Sequence, residues 1–176
     1  MMLMENTSDK IINKVANSGL ITFDLEEHHA DGERLMIDIK DQLYEGLILK
    51  ERDFREFIKA TDWSAYRNKY VALSCSADAI VPIWAYMLLA VALQPFAKEV
   101  VFGSLDDLER VIFSKYFDGF DWLQFKDSKV VIKGCSKVNI PTAVYVDVTA
   151  RIKPYASSIM FGEPCSTVPL FKKPKI

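Results

Sequence analysis

The chain has 176 residues, half of them hydrophobic, which is enough for one domain with a substantial core. Its net charge of −2, pI near 5.7 and scattered Lys and Arg leave no basic stripe to follow a phosphate backbone, so nucleic acid is not the expected partner. Three cysteines, an odd number with no export signal, point to a reducing cytoplasm and to thiols kept for chemistry or packing rather than disulfides.

The N-terminus, MMLMENTSDKIINKV, carries acids and no long apolar stretch, so it does not read as a signal peptide. DKIINKVANSG then predicts a short helix closed by Gly19. LITFDLEE is a strand candidate, followed by the acidic loop LEEHHADGER with His28 and His29. In RLMIDIKD, alternation sets Leu35, Ile37 and Ile39 on one face and Asp38 and Lys40 on the other, as in a half-buried strand. Leu49, Phe54, Phe57 and Ile58 in LKERDFREFIKATDW recur at helical spacing. No Pro-, Gly- or Ser-rich linker divides residues 1–65 from the rest, so they read as an α/β extension packed on a 66–176 core.

From Lys69 onward, short β-branched runs alternate with helical patterns. KYVALSC, KEVVFGS, SKVVIKGC and SSIMFGEPC end at Cys75, Ser104, Cys135 and Cys165, spaced 29, 31 and 30 residues apart. That rhythm predicts βαβ units and a parallel sheet. Ser104 with Asp107 is a capping-box pattern, and Asn139 before Pro141 suits a helix start. Between Ala79 and Ala97 no charge occurs, but Pro82 and Pro95 bracket the stretch and its apolar run, Ile83 to Leu93, is too short for a membrane span. A helix apolar on every side is buried or shared with a second subunit, which makes a homodimer a natural expectation. The expected fold is a single three-layer α/β domain covering residues 1–176, with flavodoxin-like strand order 2-1-3-4 over residues 70–165.

In such sheets ligands bind beyond the carboxyl ends of the strands, where the order reverses. Order 2-1-3-4 makes the three cysteine-ended strands consecutive and leaves Ser104 on the flanking one. The outer two of that trio lie roughly 10 Å apart at ordinary strand spacing. Zinc-bound thiolates approach within about 4 Å, so the loops must lean inward. Cys75, Cys135 and Cys165 are thus the candidate metal ligands, with zinc favoured and an iron–sulfur cluster the alternative. Ser76, Asp78, Ser136, Glu163 and Ser166 are the neighbouring binding candidates, and Asp78, Glu163, His28 or His29 could complete the shell. A second option dispenses with metal: a cysteine at a helix N-terminus is an activated nucleophile. A third is a non-enzymatic homo-oligomeric protein whose cysteines are packed and whose helix from Ile80 to Leu93 is the subunit contact. Asp38 and Lys40 offer an acid–base pair or simply a solvated strand face. Cys-x-x-Cys, phosphate-binding Gly-rich, Gly-x-Ser-x-Gly and His-Glu-x-x-His patterns do not occur, so the chain shows none of these enzyme signatures.

The blocks DIKDQLYEGLILKERDFREF, CSADAIVPIWAYMLLA, KGCSKV and GEPCSTVP resemble a small family of uncharacterised bacterial proteins found chiefly in Bacteroidetes. The resemblance spans nearly the whole chain after the first 18 residues and implies a cytoplasmic protein with three Cys-Ser blocks as hallmarks. It implies no activity, and it sets aromatic residues where this chain has His28 and His29, which weighs against those histidines as essential ligands.

Overall fold

The computed structural model describes residues 19–134 and 137–174. The helix expected over residues 9–18 lies outside the described residues. The chain is α/β, with seven described strands in two sheets. It divides into two compact units, residues 1–24, 121–134 and 149–176 in the first and residues 25–120 and 135–148 in the second.

The second unit holds β2 (Arg34–Asp38), β3 (Tyr70–Ser74) and β4 (Glu99–Phe102), all parallel, with β3 central. Alternation along β3 assigns its faces. Val71 and Leu73 pack with Phe54 of helix α1 (Glu51–Ala60) and with Ala85, Leu89 and Leu93 of α2 (Ile83–Leu93). Ala72 packs with Leu108 and Ile112 of α3 (Leu105–Asp118) on the opposite face. The unit is therefore three layers by itself. Ser104 caps α3 as expected, its hydroxyl meeting Asp107 N–H at 3.1 Å while Asp107 accepts from Ser104 N–H at 2.9 Å.

The first unit holds β1 (Leu20–Asp24), β5 (Lys129–Lys133), β6 (Ser158–Glu163) and β7 (Ser166–Lys172) in the order β1-β5-β6-β7. β1, β5 and β6 are parallel and β7 returns antiparallel on β6. Phe23, Phe125, Val130, Ile132 and Ile159 are buried here. Helix α4 (Thr142–Ile152) precedes β6.

The strand order 2-1-3-4 is thus corrected. β3 and β4 stand in one sheet, β5 and β6 in the other. The N-terminal segment is the physical reason: β2 takes the free edge of β3 and β1 that of β5, so α3 leads from one sheet to the next instead of crossing over within one.

A tandem duplication underlies this arrangement. DWSAYRNKYVAL at 62–73 recurs as DWLQFKDSKVVI at 121–132, and PFAKEVVFG at 95–103 as PYASSIMFG at 154–162, both at an offset of 59 residues. β3 and β5, α2 and α4, and the starts of β4 and β6 keep that offset. Asp62 and Asp121 each cap a 3-10 turn, Trp63–Tyr66 and Trp122–Phe125. Asn68 and Asp127 then adopt left-handed backbone, φ 61° and 56°, which short polar side chains tolerate. Asn68 N–H donates to Phe96 C=O at 3.0 Å and Asp127 N–H to Tyr155 C=O at 2.9 Å. The copies diverge after β4 and β6. β4 leads into α3 and ends its sheet, whereas β6 turns through Pro164-Cys165 into β7, which covers its edge.

Candidate functional site

The carboxyl edge of the second unit's sheet brings several polar groups together. β2 ends at Asp38, whose register partner on β3 is Ser74, so Ser76 lies just past the same edge. Asp38 Oδ1 accepts the N–H groups of Ser76 and Lys40, each at 3.0 Å, and Oδ2 accepts the Ser76 hydroxyl at 2.5 Å. The Lys40 ammonium stands 3.6 Å away. The Ser76 hydroxyl, with these N–H groups and the Lys40 charge, holds the Asp38 carboxyl down at about 2 against the loss of hydration. Lys40 belongs to a 3-10 turn, Ile39–Gln42, so Asp38 and Lys40 meet across a turn and not along one strand face as expected.

Cys75, half-buried, follows β3 directly, and its thiol has a long contact with Ala77 C=O at 3.8 Å. Helix α2 begins only at Ile83, after Pro82. The expectation of a thiol activated at a helix N-terminus is corrected here: residues 76–82 intervene. Above Cys75 a cleft of about 560 Å³ opens between α2 and β4. Its walls are apolar, from Leu73, Val81, Ala90, Val100 and Phe102, and Cys75 and Tyr86 supply its side-chain polar groups. Tyr86 packs edge-on against Phe102 with ring centroids 4.8 Å apart. Burial, then the negative fields of Cys75 and Asp38, push the Tyr86 hydroxyl above its ordinary range.

Cys165 is exposed in the hairpin turn between β6 and β7 of the first unit. Glu163 stands 3.7 Å from Lys133, which also meets Asp24 at 3.2 Å. Asp24, then Glu163, raises the Lys133 ammonium above its ordinary value. Asp78 and Ser166 are exposed. Cys135 and Ser136 lie outside the described residues. Among the described residues no three His, Cys, Asp or Glu side chains cluster as metal ligands do.

The two histidines serve the second unit's packing. His28 stacks on Tyr116, and its Nδ1 is 2.8 Å from the Tyr116 hydroxyl. His29 Nε2 is 3.1 Å from the Arg34 guanidinium and 3.5 Å from Glu109, the buried carboxylate with which Arg34 pairs. A smaller cavity of about 430 Å³ lies beside them, lined by Glu27, Tyr70 and Lys115 among others.

The duplication is the signal that would have exposed Tyr86. Its counterpart at the 59-residue offset is Tyr145, and Cys75-Ser76 corresponds to Cys135-Ser136 after one inserted glycine. Asp38 and Asp24 each end the strand that flanks the central one. A Cys-Ser pair and a tyrosine therefore recur in the sequence of both copies.

Among the described residues no helix is long and apolar enough to cross a membrane. No curated protein and no solved structure matches the chain. Over residues 9–173 it matches a family described as proteins of unknown function (DUF2480), and it belongs to that family.

Proposed function

We propose that this DUF2480 member is a homo-oligomeric assembly protein that pairs with a second copy through the outer face of α2. One observation carries the reading. Ile80, Ile83, Met87 and Val91 are 92, 78, 62 and 71% exposed along one stripe, joined by Phe102 at 68% and Ile48 at 60%. Ile48 bridges Ile80 through the backbone, so the patch is continuous there. Six such side chains present on the order of 500 Å² of apolar surface. The largest patch on a typical monomer is about 300–600 Å² and is often functional.

The duplicated helix is an internal control. At the positions of Ile83, Met87 and Val91, α4 carries Thr142, Val146 and Ala150. The same fold is thus built with a much less apolar outer face, and the α2 stripe is not required by folding. β4 also lacks the cover that β7 gives β6. A second copy is the favoured partner because the segment from Ile80 to Leu93 carries no charge, so two-fold pairing sets no like charges opposite each other. A standard dimer buries about 800 Å² per partner, within reach of this stripe and a polar rim.

Val91→Glu tests the reading by sedimentation equilibrium. Val91 is solvent-facing, so the fold tolerates the change, while two facing glutamates raise the dimer dissociation constant at least about 30-fold. A wild-type chain that stays monomeric at high concentration, or a Val91→Glu chain that dimerises as well, overturns it. The alternative is zinc or an iron–sulfur cluster held by Cys75, Cys135 and Cys165, of which Cys135 lies outside the described residues. Metal content per chain, purified under reducing and anaerobic conditions, is its direct test.

A further inference from the structure

We propose that the cleft between α2 and β4 binds a neutral, mostly apolar small molecule that presents one hydrogen-bond-accepting oxygen, such as a ketone or ester carbonyl, to the Tyr86 hydroxyl. The proposal goes beyond the assembly reading and does not rest on it, and it shares Ile83, Met87 and Phe102 with the stripe, so the two occupants compete at that rim. The cleft, at about 560 Å³, falls within the about 300–1,000 Å³ of small-molecule sites, which pair apolar walls with a few polar groups.

Three observations select the ligand's chemistry. First, Tyr86 is held by its ring against Phe102, and its hydroxyl has no hydrogen-bond partner among the described residues. It lines the cleft, and a phenol hydroxyl is a donor near neutral pH. Second, among the described residues no cation lines the cleft, and Lys40, at the carboxyl edge of the same sheet, is already paired with Asp38. A lining without a cation leaves a carboxylate head uncompensated, so a fatty carboxylate is a poor fit and a neutral oxygen a good one. Third, the cleft is opened by small side chains. Ala90 and Val100 stand where the other copy has Thr149 and Ile159. The same framework therefore accepts larger residues at two positions around this space.

The test uses the full chain and the neutral fluorophore N-phenyl-1-naphthylamine, displaced in turn by 2-dodecanone, dodecane and dodecanoate. The ketone is expected to compete best and the carboxylate worst. Tyr86→Phe should lower ketone affinity about tenfold and leave the alkane unchanged, as loss of one hydrogen bond predicts. Ala90→Phe should abolish binding by filling the cleft. Ala79→Phe repeats that arm from the loop, should Ala90→Phe disturb α2. The proposal fails if the probe does not bind, if ketone and alkane compete equally, or if dodecanoate competes best. Repeating the titration on Val91→Glu separates the two readings. Probe binding confined to that variant means that a second copy fills the cleft in the wild type, which overturns the ligand site and leaves the assembly intact.

Discussion

Asp38→Asn is the sharpest probe of the carboxyl edge. The carboxylate ties the end of β2 to the chain leaving β3 through the Ser76 hydroxyl at 2.5 Å and the Ser76 N–H at 3.0 Å. It also caps the following turn through Lys40 N–H at 3.0 Å. A carboxyl lowered from 3.8 to about 2 corresponds to ~2.5 kcal/mol if fully realised. Solvent reaches 23% of the Asp38 side chain, so screening reduces the realised share to about 1 kcal/mol. The sign follows from the direction of the shift. A depressed folded-state value means the stabilisation is complete above the ordinary 3.8 and is lost as pH falls toward about 2. Asparagine keeps the shape and an accepting oxygen but has no such titration. The assay is urea unfolding of both proteins at about pH 7, 5 and 3, followed by the fluorescence of Trp63 and Trp84, which lie in the same unit. The wild type should lead by about 1 kcal/mol at the two higher values, and the lead should shrink at the lowest. Ser76→Ala should cost a similar amount and add little to Asp38→Asn, because both remove one interaction. A difference independent of pH, or one that grows as pH falls, refutes the reasoning.

The two faces of α2 give a second expectation. Leu89→Ala, at a fully buried position, should cost about 2–5 kcal/mol in urea unfolding. Val91→Ala, at a 71% exposed one, should change monomer stability by less than about 0.5 kcal/mol. Glu109→Ala should cost about 3 kcal/mol, because it leaves the Arg34 guanidinium, 14% exposed and stacked over Tyr70, without its carboxylate. Glu109→Gln keeps a hydrogen bond and should cost less. In a thermal melt, the double change Arg34→Met with Glu109→Leu should recover much of the loss, since it removes both charges together and fills their space with apolar groups.

Local elements were readable because each rests on neighbours in the chain. The apolar run Ile83–Leu93 is the helix itself, to the residue, and Ser104 with Asp107 forms the expected cap. Strands ending near Cys75 and Cys135 followed from β-branched runs bounded by small residues. Sheet membership was not readable in that way. It depends on β1 and β2, two similar strands in succession, choosing partners far apart in the chain, and no local pattern encodes that choice. The Gly-Glu-Pro-Cys turn hid a second strand because Pro169 makes β7 a poor strand sequence, tolerable only on a sheet edge. The candidate site was half visible: Cys75, Ser76 and Asp38 stand out by type. Tyr86 looks like one more apolar-helix aromatic until the duplication pairs it with Tyr145.

The partner choice of β1 has a consequence for biogenesis. Leu20 pairs with Lys129, so β1, the first of the described strands, waits for more than a hundred further residues before its mate is made. β2, β3 and β4 reach their neighbours much sooner and can zip together while translation continues. Until Lys129 emerges, β1 offers a bare, hydrogen-bonding edge to any passing strand. Premature termination just ahead of that point should therefore yield an aggregation-prone fragment, with the segment from Leu20 to Asp24 as its sticky end.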